Sequence, residues 1–353
     1  MKLKKIFLLL WMVLINTNTK AQHSITPKLS HPQSTSLVWL PDPQNYIKFG
    51  ANQPVFELLT SWIAHNKENL NIRAALCTGD LVQHNNIWLA DGVNADQNSI
   101  QQWRSVSKAF ERLDNVLPYF LSPGNHDYGY ANGENRKSQF ALYFHPERNK
   151  QFNKTLAAIF SNGKEAPSLQ NAAFELIIPK WKKLLFITTE FAPRDEVLDW
   201  VYKLSVSEEY KKHLLVFITH SYLKSDGTRI VKENYKMRPV NYGEEVWGKL
   251  LHRTSNIQLV LSGHYAQIGS FKDNVGYRKD FNTVSKTVHQ IMFNAQTEGG
   301  GNGGDGWLRL LEFLPDGKTI KIRTYSPFFG FSPSTAHLAW RTEPWDEFEI
   351  LVD

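Results

Sequence analysis

Short apolar runs alternate with longer amphipathic segments along the first third of the chain. Ser36–Leu40, Arg73–Thr78 and Leu117–Leu121 are apolar runs of strand length. Between them, apolar residues recur at helical spacing over about 54–67 and about 99–113. Strands that alternate with helices are typical of an α/β sheet with crossover connections. The pattern therefore predicts such a sheet, with polar residues at the exit of each strand.

The remaining two thirds of the chain continue in strands with less regular connections. Apolar runs predict further strands at 174–178, 184–189, 213–219, 257–261, 288–293, 307–313 and 319–324. Helical spacing recurs over about 194–204 and 242–251. Two polar stretches interrupt this pattern. We expect 129–170 to be an excursion that shapes a pocket, 221–240 to be a second pocket wall, and the glycine-rich stretch 299–306 to be a flexible loop.

The N-terminal residues predict an export signal. Three lysines precede an apolar core, Ile6–Ile15, and residues 20–22 offer a cleavage zone. That core is too short for a stable membrane anchor. We therefore expect an exported protein, periplasmic or extracellular; a retained N-terminal anchor is the alternative. The predicted organisation is a signal peptide at 1–21, a linker at 22–36, one main domain at 37–335, and a C-terminal extension at 336–353 packed on that domain.

Charge and cysteine content narrow the class of partner. The chain carries 40 basic and 34 acidic residues, a formal net charge of +6. Removing residues 1–21 takes away four lysines and no acid, which leaves +2. No basic block remains, so nucleic acid is not expected as a partner. The one cysteine, Cys77, excludes an intrachain disulfide, and its apolar surroundings predict a buried, inert thiol.

The polar residues at the predicted strand exits have the side chains of metal ligands. The most distinctive stretch reads Ser-Pro-Gly-Asn-His-Asp over 122–127. The whole set is Asp42, Gln44, Asp80, Asn125, His126, His220 and His264. Because open α/β sheets bind ligands at the carboxyl ends of their strands, we expect these five loops to converge. Carboxylate, imidazole and amide groups at this density suit Mn, Fe, Zn or similar ions.

Each of these residues also has an ordinary structural role as an alternative. Asp80 follows a glycine and could cap a helix. Asp42 stands between two prolines and could belong to a turn. His220 and His264 could be structural histidines. The recurrence of such residues after successive strands favours a metal site over these separate roles.

The order of the motifs resembles the calcineurin-like metallophosphoesterase superfamily. Asp-x-Gln, Gly-Asp, Gly-Asn-His-Asp, a strand-end His and Gly-His occur in the family order, and the resemblance covers roughly Leu37 to Pro327. It implies an α/β fold, an α/β/β/α sandwich of two mixed sheets flanked by helices, with 37–335 as the catalytic domain. It also implies two divalent metal ions and hydrolysis of a small-molecule or lipid phosphomonoester or phosphodiester by a metal-activated water.

The resemblance assigns a role to each matching position. Asp80 would bridge the two metals, and Asn125, His220 and His264 would complete the second metal site. Asp42 and Gln44 would belong to the first site. His126 would lie near the leaving group, with Asp127 orienting its imidazole.

Two departures from the family pattern fall on the first metal site. Position 44 is Gln where the family has His, and Ala266 stands where its last motif has a second His. The first metal would be weakly held, would recruit a replacement ligand such as Gln296 or Asn294, or would be absent at rest. Two alternatives follow: a single-metal hydrolase, and a binding or scaffold protein with an incomplete site and little or no hydrolysis.

Overall fold

The computed structural model describes residues 26–164 and 166–353, which form two seven-stranded sheets with helices on their outer faces. The predicted signal peptide lies outside the described residues. The strands are β1 (Thr35–Leu40), β2 (Ile72–Cys77), β3 (Tyr119–Leu121), β4 (Leu156–Ile159), β5 (Ala172–Leu176), β6 (Leu184–Thr188), β7 (Leu214–Ile218), β8 (Ile257–Ser262), β9 (Val275–Phe281), β10 (Thr287–Phe293), β11 (Leu308–Phe313), β12 (Thr319–Tyr325), β13 (Trp340–Arg341) and β14 (Phe348–Leu351).

The described residues form three long α-helices and five short ones of about one turn. They are α1 (Gln44–Ile47), α2 (Gln53–Asn66), α3 (Ser99–Glu111), α4 (Phe140–Tyr143), α5 (Phe152–Thr155), α6 (Asp195–Val206), α7 (Gly243–Val246) and α8 (Pro327–Phe331). A π-helical turn, Trp247–Leu251, continues α7. Helix α3 begins at a capping box in which Asn98 and Gln101 bond each other's backbone amides. None of the helices in the described part of the chain is both long and apolar enough to cross a membrane.

The first sheet has the strand order β13-β12-β11-β1-β2-β3, and β14 also pairs with β12. Strands β1, β2 and β3 are parallel, whereas β11 and β12 are antiparallel to their neighbours. The second sheet has the order β4-β5-β6-β7-β8-β10-β9, with a parallel centre from β6 to β10 and antiparallel edges. Both sheets are therefore mixed.

The main hydrophobic core lies between the sheets. Phe120 of the first sheet stacks on Phe174 of the second, with ring centroids 4.4 Å apart. Helices α2 and α3 bury Phe56 and Phe110 on the outer face of the first sheet, and α6 buries Val201 against the second. The layers of the molecule are therefore helices, the first sheet, the second sheet and helices. This order confirms the predicted sandwich.

The differences from the predicted elements lie at edges and termini. Strand β1 begins at Thr35, so it takes in the last two residues of the predicted linker. The C-terminal residues 336–353 contribute β13 and β14 to the first sheet. Strands β4 and β9 were not predicted. Edge strand β9 carries Arg278, Lys279 and Asp280 and has five of its seven residues partly or fully exposed, so it lacks a long apolar run.

Candidate metal centre

Five loops bring polar side chains to the carboxyl ends of the central strands, as the sequence predicts. Asp42 follows β1, Asp80 follows β2, and Asn125 follows β3 in the first sheet, while His220 and His264 follow β7 and β8 in the second. The two sheets meet here directly. His220 Nδ1 donates a hydrogen bond of 2.7 Å to the carbonyl of Thr78, at the end of β2. The centre therefore lies where both sheets end.

The imidazole of His220 stands at the middle of this group. Its Nε2 lies 3.3 Å from Asp80 Oδ1, 3.1 Å from Asn125 Oδ1 and 3.1 Å from His264 Nδ1. One ligand atom each from Asp80, His220 and His264 falls within 4.8 Å of the others. His220 is fully buried, and Asp80 and Asn125 are nearly so. Four of the predicted ligands therefore face a common point.

Two glycines make this close approach sterically feasible. A Cβ on Gly79 would overlap His220 Nδ1, and φ of Gly79 is +126°, a region that L residues rarely adopt. A Cβ on Gly124 would overlap both Asp80 Oδ1 and the ring of His220. The glycines of the Gly-Asp and Gly-Asn-His-Asp motifs are thus required by packing around the centre.

The charges of the centre are strongly coupled. Burial lowers the pKa of His220, but the carboxylates of Asp80 and Asp42 outweigh burial and raise this pKa to about 10. Burial would raise the pKa of Asp80, but His220 and His126 outweigh it, so that the pKa lies below its ordinary value. Carboxylate and amide oxygens and imidazole nitrogens packed this closely in a buried place are the donor set of a divalent cation, so the four residues fit a metal ion.

The residues predicted for a first metal do not offer such a set. Asp42 accepts hydrogen bonds from the backbone N–H of His264 at 2.8 Å and from Asn294 Nδ2 at 2.7 Å. Gln44 donates from Nε2 to Gln296, and its buried Oε1 has no partner among the described residues. Asn294 and Gln296, predicted as replacement ligands, therefore contact the first-site residues by hydrogen bonding. The arrangement is a network of amide groups around the carboxylate of Asp42, with no imidazole among the residues predicted for the first site.

His126 lies beside the cluster, but Asp127 does not orient its imidazole. The backbone N–H of His126 donates to Asp80 Oδ1 at 3.0 Å, and its ring Nδ1 donates to the carbonyl of Gln83 at 2.6 Å. The Asp127 carboxylate instead accepts from the backbone N–H groups of Gly124, Leu81 and Val82. The interpretation of Asp127 as the group that orients the imidazole is wrong: a backbone carbonyl does so, and Asp127 ties two loops together.

Glu233 is a part of the centre that sequence reasoning missed. Its Oε1 accepts a 2.6 Å hydrogen bond from His264 Nε2. The stretch 221–240 was predicted to form a pocket wall, but Glu233 does not follow a strand and belongs to no motif. Only the folded chain shows that this carboxylate reaches His264.

A cleft of about 330 Å³ opens on the surface, and none of the eight predicted site residues lines it. Its lining includes Asn85, Trp88 and Tyr130, which come from the loops that follow Asp80 and the Gly-Asn-His-Asp motif. Trp88 is 68% exposed and Tyr130 is 57% exposed. The ring of His84, which precedes Asn85 in the chain, lies 6.5 Å from the ring of His126.

The sandwich and its strand-end cluster define a metal-site protein of the α/β class. A family model described as calcineurin-like phosphoesterase matches residues 42–267. This span is more than half of the chain and includes all eight predicted site residues, so the chain belongs to the calcineurin-like phosphoesterase family.

Two further proteins are similar to this chain. The protein of Bacillus subtilis (strain 168) named "Uncharacterized protein YvnB" is 27% identical over 295 residues, which are 83% of this chain and 20% of that protein. The chain thus spans about a fifth of the length of the curated relative it matches. The solved structure entitled "GAP50 the anchor in the inner membrane complex of Plasmodium" matches with a TM-score of 0.41 at 13% identity, over 91% of this chain and 89% of that one.

Proposed function

We propose that the protein is an exported phosphoesterase that depends on a divalent cation held by Asp80, Asn125, His220 and His264. The observation that carries this proposal is the convergence of these four side chains on one point, with His220 Nε2 within 3.3 Å of three other ligand atoms. A cation held there would polarise a phosphoryl oxygen and lower the pKa of a water.

The residues around the cation position supply orientation and a proton site. A carbonyl oxygen can only accept, so the hydrogen bond to Gln83 places a proton on His126 Nδ1 and leaves Nε2 for the leaving-group oxygen. Burial lowers the pKa of His126. The backbone N–H of His126 also donates to Asp80 Oδ1, which ties the loop that carries the imidazole to this ligand. Nε2 of the neutral ring carries no proton, so His126 would first take up a proton at Nε2 and then donate it to the departing oxygen.

We expect one tightly bound cation and a substrate that extends into the cleft beside His84. The amide network at Asp42 and Gln44 favours a single cation over two. The cleft, with Trp88 and Tyr130 at its rim, would hold the part of a small-molecule or lipid phosphoester that lies beyond the phosphate.

A second candidate function is a binding or scaffold protein of the same fold. The hydrogen bond between Gln44 and Gln296 favours it, because a first-site position closed in this way would leave the phosphate with fewer charged contacts. Under this alternative the chain would bind metal or a phosphorylated ligand without hydrolysing it.

Metal analysis and hydrolysis together test the proposal. The purified protein should bind one tight equivalent of Mn²⁺ and hydrolyse chromogenic phosphomonoesters or phosphodiesters with it. Asn125→Ala should lose at least about 100-fold in activity, because removing even an outer-shell partner of a metal costs 10–100-fold. Asn153→Ala, at an exposed surface position, is the matched control. Metal binding without hydrolysis would favour the scaffold candidate, and absence of both would refute the enzyme.

A separate measurement tests export. Expression of the full chain with its natural N-terminus should yield a protein outside the cytoplasm whose first residue lies close to position 22. Recovery of the intact chain from the membrane fraction would favour the retained anchor.

A further inference from the structure

Glu233 contacts His264 of the metal centre with one carboxylate oxygen and the residue that follows His220 with the other. Oε1 accepts from His264 Nε2 at 2.6 Å, and Oε2 accepts from Ser221 Oγ at 2.6 Å. Ser221 directly follows His220 in the chain. The Glu233 side chain is 18% exposed and that of His264 is 14% exposed. The contact is therefore largely screened from solvent.

The contact decides which nitrogen of His264 can bind a cation. A carboxylate accepts hydrogen bonds, so Nε2 of His264 carries the proton. Nδ1 then keeps its lone pair, and Nδ1 is the atom that lies 3.1 Å from His220 Nε2 within the cluster. A histidine that binds a metal through one nitrogen commonly donates the other N–H to a carboxylate, which fixes the ring and raises its basicity.

We propose that Glu233 is a positioning residue of the metal centre, which holds His264 with Nδ1 towards the cation. The inference rests on the metal centre of the proposed function. No motif of the chain includes Glu233, which lies in the connection between β7 and α7.

The segment around Glu233 is fixed well enough for this role. Ile230 N donates to the carbonyl of Tyr222, and Met237 N donates to the carbonyl of Gly133. These bonds hold the segment on both sides of Glu233. The ring of Tyr235 packs edge-to-face on Phe191, with centroids 5.2 Å apart. Because its segment is tied to the body of the protein, Glu233 can impose an orientation on His264 instead of following it.

Glu233 also changes the charge balance of the centre. It adds a carboxylate to a region that already contains Asp42 and Asp80, both buried. Carboxylates brought together away from water repel one another unless a cation lies among them. The same side chain therefore both orients a ligand and increases the attraction for a divalent ion.

The affinity for Mn²⁺ tests the proposal without reference to hydrolysis. By isothermal titration, Glu233→Ala should bind Mn²⁺ about 10–100-fold more weakly than the native protein, as expected for loss of an outer-shell carboxylate. Glu233→Gln keeps an oxygen that accepts from Nε2 but loses the charge, so its affinity should lie between the two. Glu175→Ala is the matched control, because Glu175 bonds His213 at 3.0 Å at the opposite end of β7. It should bind Mn²⁺ like the native protein.

A second measurement reads the orientation directly in metal-free protein. Nitrogen-15 spectra of the imidazoles should show His264 with its proton on Nε2 in the native protein and a mixture of tautomers in Glu233→Ala. Circular dichroism and thermal unfolding confirm that each variant is folded.

The outcomes separate this proposal from the proposed function. Native Mn²⁺ affinity in folded Glu233→Ala would overturn the positioning role, whether or not the protein hydrolyses phosphoesters. Loss of the entire binding equivalent in both Glu233 variants would make Glu233 a direct ligand and would also overturn it. Weakened binding and a tautomer change in a protein without hydrolysis would support the role of Glu233 while refuting the enzyme.

Discussion

The carboxamide of Gln44 donates a hydrogen bond from Nε2 to Oε1 of Gln296, across 252 positions of the sequence. This contact lies where the family pattern expects the first metal ion to have a histidine ligand. Gln296 thereby uses the oxygen that it would offer to a cation. The neighbouring carboxylate, Asp42, is bonded to Asn294 and to the backbone of His264. Burial raises the pKa of Asp42 to about 7, against the effect of nearby His220, which is typical of a carboxylate without a full countercharge.

Restoring the two absent histidines should restore the first metal site. The double variant Gln44→His with Ala266→His supplies two imidazoles in place of an amide and a methyl group. Because imidazole binds divalent transition metals better than a neutral amide does, bound Mn²⁺ or Zn²⁺ should rise from one to two equivalents. Elemental analysis after gel filtration measures the ratio. Two equivalents already present in the native protein would contradict the assignment of a single site.

A methyl group at Gly124 should disrupt the centre. The added Cβ of Gly124→Ala would overlap Asp80 and His220, so their ligand atoms would have to move. Overpacking of this kind costs about 1–3 kcal/mol of stability, and we expect the affinity for Mn²⁺ to fall as well. Gly248→Ala is the control, because its Cβ would meet no atom within 4 Å and lies in a helical turn. Equal behaviour of the two variants in denaturant titration and metal titration would show that Gly124 is not required by packing.

Asp127 should contribute to stability because it satisfies buried backbone donors. Asp127→Ala leaves the N–H groups of Gly124, Leu81 and Val82 without their acceptor in a buried place, and the free energy of unfolding should fall by about 3 kcal/mol. Asp91 also accepts from three backbone N–H groups, but on an exposed loop where water can replace it. Asp91→Ala should therefore change stability far less. A loss for Asp127→Ala no larger than for Asp91→Ala would argue against this role.

Stability at acidic pH should depend on Asp280 of edge strand β9. Burial would raise the pKa of Asp280, but Arg278, Gln290 and Arg229 outweigh burial, so the pKa lies below its ordinary value of 3.8. The unfolded chain then binds the proton more tightly than the folded chain. The contribution of Asp280 is therefore complete above its unfolded pKa and is lost as the pH falls through the lower folded pKa.

Urea unfolding between neutral pH and about pH 3 measures this contribution. Asp280→Asn should lower the free energy of unfolding at neutral pH by roughly 1 kcal/mol, because Asp280 is partly exposed and solvent screens its ion pairs with the arginines. Its stability should also decrease less steeply towards acid than that of the native protein. Asp199→Asn, at an exposed position of α6, is the control and should follow the native profile. Parallel profiles for Asp280→Asn and the native protein would contradict the prediction.

Trp88 should affect the binding of aromatic substrates. Its ring is 68% exposed at the rim of the cleft beside His84, where it can pack against an aryl leaving group. An aromatic contact is worth about 0.5–1.5 kcal/mol, so Trp88→Ala should raise KM for aryl phosphoesters by roughly 2–12-fold with kcat unchanged. KM for an alkyl phosphoester should not change. Trp62→Ala is unsuitable as a control because Trp62 packs against the core; Leu142→Ala, at an exposed position, serves instead. Equal KM values for the native protein and Trp88→Ala would show that the cleft is not part of the substrate site.

The sequence predicts the elements that carry apolar runs or helical spacing, and it fails where those signals are absent. The predicted bounds of the core strands β1, β2, β6 and β8 agree with the observed bounds to within about one residue. Each of these strands is a buried run with few or no interruptions. Edge strand β9 contains polar residues and is partly exposed, so its sequence has no apolar run and predicts a loop. Strand β4, Leu156–Ile159, is apolar but only four residues long, and it lies within the otherwise polar stretch 129–170, so it was missed for a different reason.

The convergence of the candidate ligands could be predicted from the sequence, but the contacts that support them could not. Asp80, Asn125, His220 and His264 stand directly after strands, and the ends of parallel strands meet at one edge, so their convergence follows from the pattern. The partner of His126 could not be foreseen in this way. Asp127 is its neighbour in sequence, but the fold turns this carboxylate towards backbone amides and offers the carbonyl of Gln83 to the ring.

The sequence by itself determined the alternation of strands with helices and the polar residues at the strand exits, because each of these is a local property of residue type and spacing. The sandwich of two sheets and the departures at Gln44 and Ala266 followed from the resemblance to the family. The tertiary structure alone decided that Gln44 bonds Gln296 and that Glu233 bonds His264. Such contacts join side chains that lie far apart in the chain and follow no periodicity. They depend on how loops of irregular shape pack at the edges of two sheets, and that packing is set by the whole core.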